Sequence, residues 1–437
     1  KNLTIRHTLP FPSELSTTKL VDPNTNKQIP PHPSVKPFTK GEDKLYRTLK
    51  SNGDELSILG FGCMRLPQQK GTPGDGKIDE ERAREQILYA IDNGVNYFDT
   101  AMPYHMGASE LFLGKVFTNG VRDKIKLATK IPHFHVNAPE DMEKIIKAQL
   151  NKLHTDYIDY YLIHALDKKS WEKMKSFGVL EFLEGLKKDQ RIINTGFSYH
   201  GGKDTFKDII DAYDWDVCQI QYNYLDVQNQ AGRRGLKYAD KKGVSVIIME
   251  PLRGGNIAGN VPPDIKELWD QAETKRSPVE WALRWIWNHP EVTCVLSGMN
   301  EETHIDENIK IACDSHPETL NESELQLVDS VRKKYLELMK IGCTGCNYCM
   351  PCPSGVNIPI SFEFYNSAHM FGNHKRAKMM YLFFLSGAVG DPAYASMCEK
   401  CGECEEACPQ NLPIQATLEN VANQFEGKWF KLTSWLI

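Results

Sequence analysis

The chain of 437 residues is long enough for two or three domains, and 41% hydrophobic with 25% charged residues is ordinary for a protein with a sizeable core. A formal net charge of -5 excludes the broad basic surface on which nucleic-acid binding rests, and no apolar run is long enough for a membrane helix. The 12 cysteines are unusual in their placement: Cys63, Cys218, Cys294 and Cys313 stand alone, whereas the rest crowd between 343 and 408, which points to a metal cofactor.

Seven of the 24 prolines fall before position 38 and no period of 2 or 3.6 survives there. Residues 1–44 therefore read as an extended arm, either solvated or wrapped on a partner or on the protein's own barrel. Lys1 is no initiator Met, so a removed upstream leader stays open, although nothing in view looks like one.

From residue 45 the pattern changes. YRTLKSNGDELSILGFG reads as a hairpin turning at Asn52-Gly53. Short apolar runs then alternate with amphipathic segments: LGFGCMRL and the helix DEERAREQILYAIDNG, NYFDTA and SELFLGKVF, IKLATKI and PEDMEKIIKAQLNKLH, DYYLIHA and VLEFLEGLKK. INTGFSY and DTFKDIIDAY, VCQIQYNY and RGLKYADKKG, VSVIIMEPL and PVEWALRWIWNHP, TCVLSGM and HIDENIKIAC continue the pattern. Buried parallel strands read as short, nearly continuous apolar runs. Eight such units in roughly 260 residues fit a closed (β/α)8 TIM barrel over 45–340 better than an open doubly wound sheet. A last helix, ESELQLVDSVRKKYLELM, leads into residues 341–437.

There CTGCNYCMPCP sets Cys343, Cys346, Cys349 and Cys352 at spacings of two, two and two, and CEKCGECEEACP sets Cys398, Cys401, Cys404 and Cys408 at two, two and three. The second is the bacterial ferredoxin signature, in which three thiolates hold one cluster and the fourth, before Pro, ligates the other. That assigns Cys343, Cys346, Cys349 and Cys408 to one 4Fe–4S cluster, and Cys398, Cys401, Cys404 and Cys352 to a second. Zinc is the competing reading, since paired CxxC units also make four-thiolate sites. The short last gap of the first set departs from the signature at Cys352. SFEFYNSAHMFGNHKRAKMMYLFFL, between the two sets, reads as helical, so the region resembles the helical ferredoxin domains of respiratory dehydrogenase subunits. Thiolates that persist favour a reducing, cytoplasmic location.

In a barrel of this kind the active site lies at the carboxyl ends of the strands. Those ends carry Asp99 and Tyr104 on the second strand, Lys130 on the third and His164 on the fourth. Together they suggest one device. An ammonium beside a Tyr lowers its pKa from about 10 towards neutrality, a carboxylate holds the ammonium, and an imidazole orients the substrate oxygen or relays the proton.

On GVNYFDTAMPYHMGASE, LATKI and YYLIHALD the chain resembles the aldo-keto reductases across nearly all of 45–340, with all four residues of the family's tetrad in order. With the cysteine motifs it is similar to the ferredoxin-tailed branch of that family. The resemblance implies a nicotinamide cofactor, NAD(H) or NADP(H), across the barrel mouth. It implies that Ser198 and Gln219 hold the carboxamide, with Asn223 and Tyr224 nearby. It also implies that backbone groups of Leu252, Gly254 and Gly255, with Arg253, hold the diphosphate, and that Glu307 and Asn308 meet the adenine. Two positions depart. Met249 stands where an aromatic usually stacks on nicotinamide, and Gly298, Met299 and His304 stand where Lys, Ser and Arg usually clamp the adenosine phosphate. With no cation there, strong preference for the phosphorylated cofactor is not expected.

The expected activity is hydride transfer between NAD(P)H and a small carbonyl or alcohol substrate, with Tyr104 as proton donor. The alternative is an electron-transfer or regulatory subunit whose barrel binds cofactor without turnover. Three roles suit the clusters: exchange with an external redox protein, single-electron chemistry on the substrate, or bracing of the C-terminal domain. Met102, His105, Met106, His133, Phe134, Tyr199 and Tyr224 are expected near the mouth. The tail WFKLTSWLI, with Trp429, Phe430 and Trp435, is expected to pack on the barrel or on a second subunit of a homo-oligomer.

Overall fold

The computed structural model describes residues 46–69, 77–259, 261–343, 345, 349–387, 391–408 and 411–427. The Pro-rich arm, Cys346 and the tail aromatics lie outside the described residues.

Strands β1 (Tyr46–Thr48) and β2 (Glu55–Ser57) form an antiparallel hairpin. The alternating part runs β3 (Leu59–Gly62), α1 (Glu80–Asp92), β4 (Tyr97–Asp99), α2 (Ala108–Val116), β5 (Lys126–Ile131), α3 (Pro139–Lys152) and β6 (Ile158–Leu166). It continues through α4 (Lys168–Ser176), α5 (Val179–Lys188), β7 (Ile192–Tyr199), α6 (Lys203–Asp211), β8 (Val217–Gln221), α7 (Gly232–Lys241) and β9 (Ser245–Met249). Helices α8 (Pro263–Asp270) and α9 (Pro278–Trp287), strand β10 (Val292–Ser297), α10 (Glu302–Cys313) and α11 (Glu322–Glu337) complete it. Strands β3 to β10 close into a parallel barrel in sequence order, with β10 pairing back onto β3. Helices α4 and α8 are additions to the sequence pattern.

The alternation of a strand sorts its side chains into two cores. Tyr97, Ala128, Tyr160, Leu162, Val217, Ile247, Cys294 and Leu296 point into the barrel. Their neighbours Phe98, Leu127, Tyr161, Ile163, Cys218, Ile248 and Val295 join the outer core beneath the helices. Leu49 and Leu56 of the hairpin plug the amino end of the barrel, buried to 1% and 0% exposure, each contributing about 1.5–3 kcal/mol. Asp54, between them, accepts a hydrogen bond from the Tyr160 hydroxyl at 2.6 Å and pairs with Lys126 at 2.6 Å.

Local signals end the helices where expected. Asp79 caps α1 by accepting from the Arg82 amide, and Gly94 takes φ +87° just beyond it. Ser277 caps α9, whose Pro278 sits at the first helical position.

A second core follows, built on α12 (Ile358–Met370), α13 (His374–Leu385), the single turn α14 (Glu403–Glu406) and α15 (Ile414–Phe425). Ile341, Phe362, Tyr381, Leu418 and Phe425 are among its buried residues. The segment read as helical between the cysteine motifs is two helices: Gly372 takes φ +64° and the Asn373 side chain caps α13. Met370 and Phe371, at this corner, pack into the outer core of the barrel. Among the described residues no helix is long and apolar enough to cross a membrane.

Candidate active site

Two residues beyond each inward-facing core position lies a mouth-facing one, again by strand alternation. Tyr97 leads to Asp99, Ala128 to Lys130, Leu162 to His164 and Val217 to Gln219. Lys130 and Asp99 are buried to 1% and 3% exposure, and the Lys130 ammonium donates to Asp99 Oδ1 at 2.6 Å and to the Thr100 carbonyl at 2.9 Å. The same ammonium donates to the Tyr104 hydroxyl at 3.3 Å. His164 sets its ring edge-on to Tyr104, with centroids 6.1 Å apart. The structure thus brings all four tetrad candidates together.

Tyr104 opens a tight turn in which His105 and Met106 both have positive φ, 51° and 53°. The ring of His105 accepts from the Leu66 amide at 3.0 Å, tying this strained turn to the loop after β3.

The electrostatics correct one sequence expectation. Burial raises the Tyr104 pKa above its ordinary value of 10.0, and the opposing pull of Lys130 does not overcome it. Tyr104 is therefore protonated at neutral pH, and the ammonium serves to stabilise the phenolate only once it forms. Desolvation acts to neutralise Lys130, but Asp99 and then Tyr104 outweigh it and its pKa is raised. His164 is pushed down to about 2, by burial first and then by Lys130, His200 and His133, so it stays neutral. Its buried Nδ1 has no partner among the described residues.

Ser198 and Gln219 face each other across the β7–β8 pairing. Gln219 donates to Asp99 Oδ2 at 2.6 Å, and Ser198 accepts from the Ala165 amide at 2.7 Å, where φ is +52°. Tyr199 and Tyr224 do not line the mouth: Tyr199 packs on Phe197 and Phe206, and Tyr224 on Trp269 and Trp285. Parity explains the first, since Ser198 points inwards and its neighbour must point out. Phe134 is half exposed, with its ring 5.9 Å from that of His164.

On the loop after β9, the amide of Gly255 donates to the Leu252 carbonyl at 2.9 Å. Arg253 is held by residues distant in sequence. Its Nε pairs with Asp226 at 3.3 Å, its Nη1 reaches Met370 Sδ at 3.7 Å, and its guanidinium lies 5.7 Å from the Phe371 ring centre. Glu250 and Glu363 flank this contact, each raised in pKa by partial desolvation first. Asn308 donates to Ser297 Oγ at 2.8 Å, and Glu307 accepts from Ser277 Oγ at 2.7 Å.

In the C-terminal region Cys343, Cys349, Cys352, Cys398, Cys404 and Cys408 all lie at one core, and Cys401 is exposed beside it. The thiol of Cys404 is pushed up to about 11, by burial and then by Cys398, Glu405, Cys352 and Cys401. Cys352, of the first motif, is within electrostatic reach of Cys404 of the second. Among the described residues no three metal-ligating side chains converge on one point. Cysteine thiolates gathered at one core are the donor chemistry that a 4Fe–4S cluster takes.

The family description "Aldo/keto reductase family" matches residues 58–333. The chain belongs to that family. A second description, "4Fe-4S dicluster domain", matches residues 342–412. This is an oxidoreductase of aldo-keto reductase type carrying a C-terminal 4Fe–4S dicluster domain. It is 25% identical to Probable aldo-keto reductase 1 of Glycine max over 300 residues, covering 60% of this chain and 82% of that protein. It is 23% identical to the NADH-specific methylglyoxal reductase of Escherichia coli (strain K12) over 303 residues, 58% of this chain and 89% of that one. Among solved structures, the holo form of aldo-keto reductase AKR11C1 from Bacillus halodurans superposes with a TM-score of 0.54 at 26% identity. That match covers 65% of this aldo/keto reductase and 95% of the neighbour.

Arg65, Thr100 and Arg376 escaped the reading of the sequence. The Thr100 carbonyl is a backbone group and leaves no mark there. Arg65 and Arg376 are separated by most of the barrel, and no spacing links them.

Proposed function

We propose that this chain reduces a small aldehyde or ketone with a nicotinamide cofactor, or oxidises the corresponding alcohol, at the barrel mouth. The observation that carries the reading is the Lys130 ammonium, shared between Asp99 and the Tyr104 hydroxyl and set beside the His164 ring. Bound nicotinamide supplies a hydride to the carbonyl carbon. The chain supplies the proton. Tyr104 donates from its hydroxyl to the developing alkoxide, and Lys130 stabilises the phenolate left behind. Neutral His164 offers a hydrogen bond to orient the substrate oxygen. Ser198 and Gln219, facing each other at the mouth, would hold the carboxamide. Solvent restores the Tyr104 proton.

The C-terminal module is proposed to hold two 4Fe–4S clusters, one on Cys343, Cys346, Cys349 and Cys408, the other on Cys352, Cys398, Cys401 and Cys404. The spacing of the second motif, with Cys408 before a proline, carries the crossed assignment, and Cys352 lies within electrostatic reach of Cys404. The clusters give the chain the means to exchange single electrons with a redox protein. NADH is proposed to serve, since Gly298 and Met299 offer no charge to an adenosine phosphate; the name of the Escherichia coli relative points the same way.

The test is anaerobic turnover of small aldehydes and ketones with NADH and NADPH, comparing the wild type with Tyr104→Phe. Loss of about 10²–10⁴-fold in the variant is expected, with nucleotide binding retained. Equal rates would remove Tyr104 as the donor. A wild type that binds nucleotide but turns over nothing would favour the non-catalytic subunit.

A further inference from the structure

The loop after β9 carries an unusual convergence. Arg65, on the turn after β3, donates from Nη1 to the Gly254 carbonyl at 2.8 Å. Arg376, in the first turn of α13, donates to the same oxygen at 3.3 Å. One guanidinium comes from the barrel and the other from the dicluster module, and both are exposed to solvent.

The backbone makes room for this meeting. Gly254 has φ +68°, and a Cβ there would come within 3.1 Å of Arg65 Nη2. Gly298, at the end of β10, lies against the Arg65 stem, where a Cβ would meet Arg65 Cβ at 3.4 Å. Arg65 therefore fills the space at one of the positions where the family's clamp is missing. Its head lies between the carboxyl ends of three adjacent strands, β3, β10 and β9.

Two like charges sharing one carbonyl repel each other. Among the described residues neither guanidinium forms an ion pair. Partial desolvation and then the charge of Arg376 disfavour the charged form of Arg65, with Glu250 acting the other way from beyond ion-pairing distance. A dianion bridging the two would relieve the repulsion and use the donors left over, since each guanidinium carries five N–H groups. Arg253, the cation nearest in sequence, is held by Asp226 and Met370 instead.

Resting on the nicotinamide reading above, we propose that Arg65 and Arg376 clasp the diphosphate of the cofactor, so that the dicluster module completes the nucleotide site of the barrel. The site then takes NADH, NADPH and ADP-ribose through the part they share. The link is also reciprocal: occupancy of the barrel holds α13 against it.

The experiment titrates the cluster-loaded full chain with NADH, NADPH and ADP-ribose, and compares Arg65→Gln, Arg376→Gln, Arg376→Lys and the neighbouring exposed Lys375→Gln. Each arginine-to-glutamine change should weaken all three ligands about tenfold or more, as expected for a lost charge-assisted pair. Lys375→Gln should leave binding near wild type, and Arg376→Lys should recover part of the loss at unchanged iron content. Wild-type affinity in both glutamine variants overturns the clasp. An equal loss in Arg376→Lys and Arg376→Gln means packing and overturns the role of charge. Loss confined to NADPH assigns the arginines to the adenosine phosphate and overturns the diphosphate assignment. A wild type that binds none of the three overturns the clasp together with the nicotinamide reading.

Discussion

Lys130→Met separates what the buried ion pair does for folding from what it does for chemistry. The substitution removes the donor to Asp99 at 2.6 Å, to Thr100 at 2.9 Å and to Tyr104 at 3.3 Å, from a site with 1% exposure. Breaking a buried pair leaves an uncompensated charge and costs about 3–5 kcal/mol. Gln219, still bonded to Asp99 Oδ2 at 2.6 Å, places the loss towards the lower end of that range. Replacing both partners is far gentler, so Lys130→Met combined with Asp99→Asn should regain most of the stability. Catalysis should not return. The phenolate of Tyr104 has lost its cation, and with it the charge-assisted hydrogen bond worth about 1.5–3 kcal/mol, so both variants should stay slower by about tenfold to a hundredfold. Urea unfolding followed through the buried tryptophans of α9, with single-turnover NADH oxidation on the same samples, measures both quantities. A single variant as stable as wild type, or a double variant that recovers turnover along with stability, would refute this role for the pair.

Other outcomes follow from the same geometry. His164 is buried neutral with its pKa down at about 2, whereas the unfolded imidazole titrates near 6.5, so the unfolded chain binds the extra proton as pH falls below 6.5. Stability is therefore intact above that value and lost progressively below it, and His164→Gln should remove about 2 kcal/mol of the acid sensitivity at pH 5; identical pH profiles for the two proteins would count against the assignment. Iron analysis of the reduced, anaerobically prepared chain should give about eight irons, and Cys352→Ala or Cys408→Ala should each damage the opposite cluster by paramagnetic resonance. Tightly bound zinc in place of iron would refute that assignment. Binding titrations should find NADH and NADPH within about tenfold of each other, since no cation stands at Gly298 or Met299; a hundredfold preference for NADPH would show a clamp elsewhere.

The barrel was legible because buried parallel strands leave short apolar runs that survive without an alignment. Helices α4 and α8 were not: each lies between a strand and the helix that the alternation already supplied, burying Trp171 and Met174 with Ser170 in one case, Ile265 and Trp269 in the other. The break between α12 and α13 lies at Gly372-Asn373, a turn signal that the sequence itself carries. In the site, the tetrad could be read because strand alternation fixes which residues face the mouth. Its protonation could not: pairing logic lowers the Tyr104 pKa, and only the structure shows that burial outweighs the pair. Arg253 was read from its loop as a diphosphate contact, and its partners Asp226, Met370 and Phe371, distant in sequence, leave no mark there.

The central claim is that hydride passes directly from nicotinamide to the substrate carbon at the barrel mouth, with Tyr104 supplying the proton. Reduction of an accepted carbonyl with cofactor deuterated at the nicotinamide C4 tests it most directly. Deuterium on the carbinol carbon of the product, in one nicotinamide stereochemistry, is the predicted result. Product whose new C–H hydrogen comes from solvent would contradict the account, because electrons would then reach the substrate singly through the clusters.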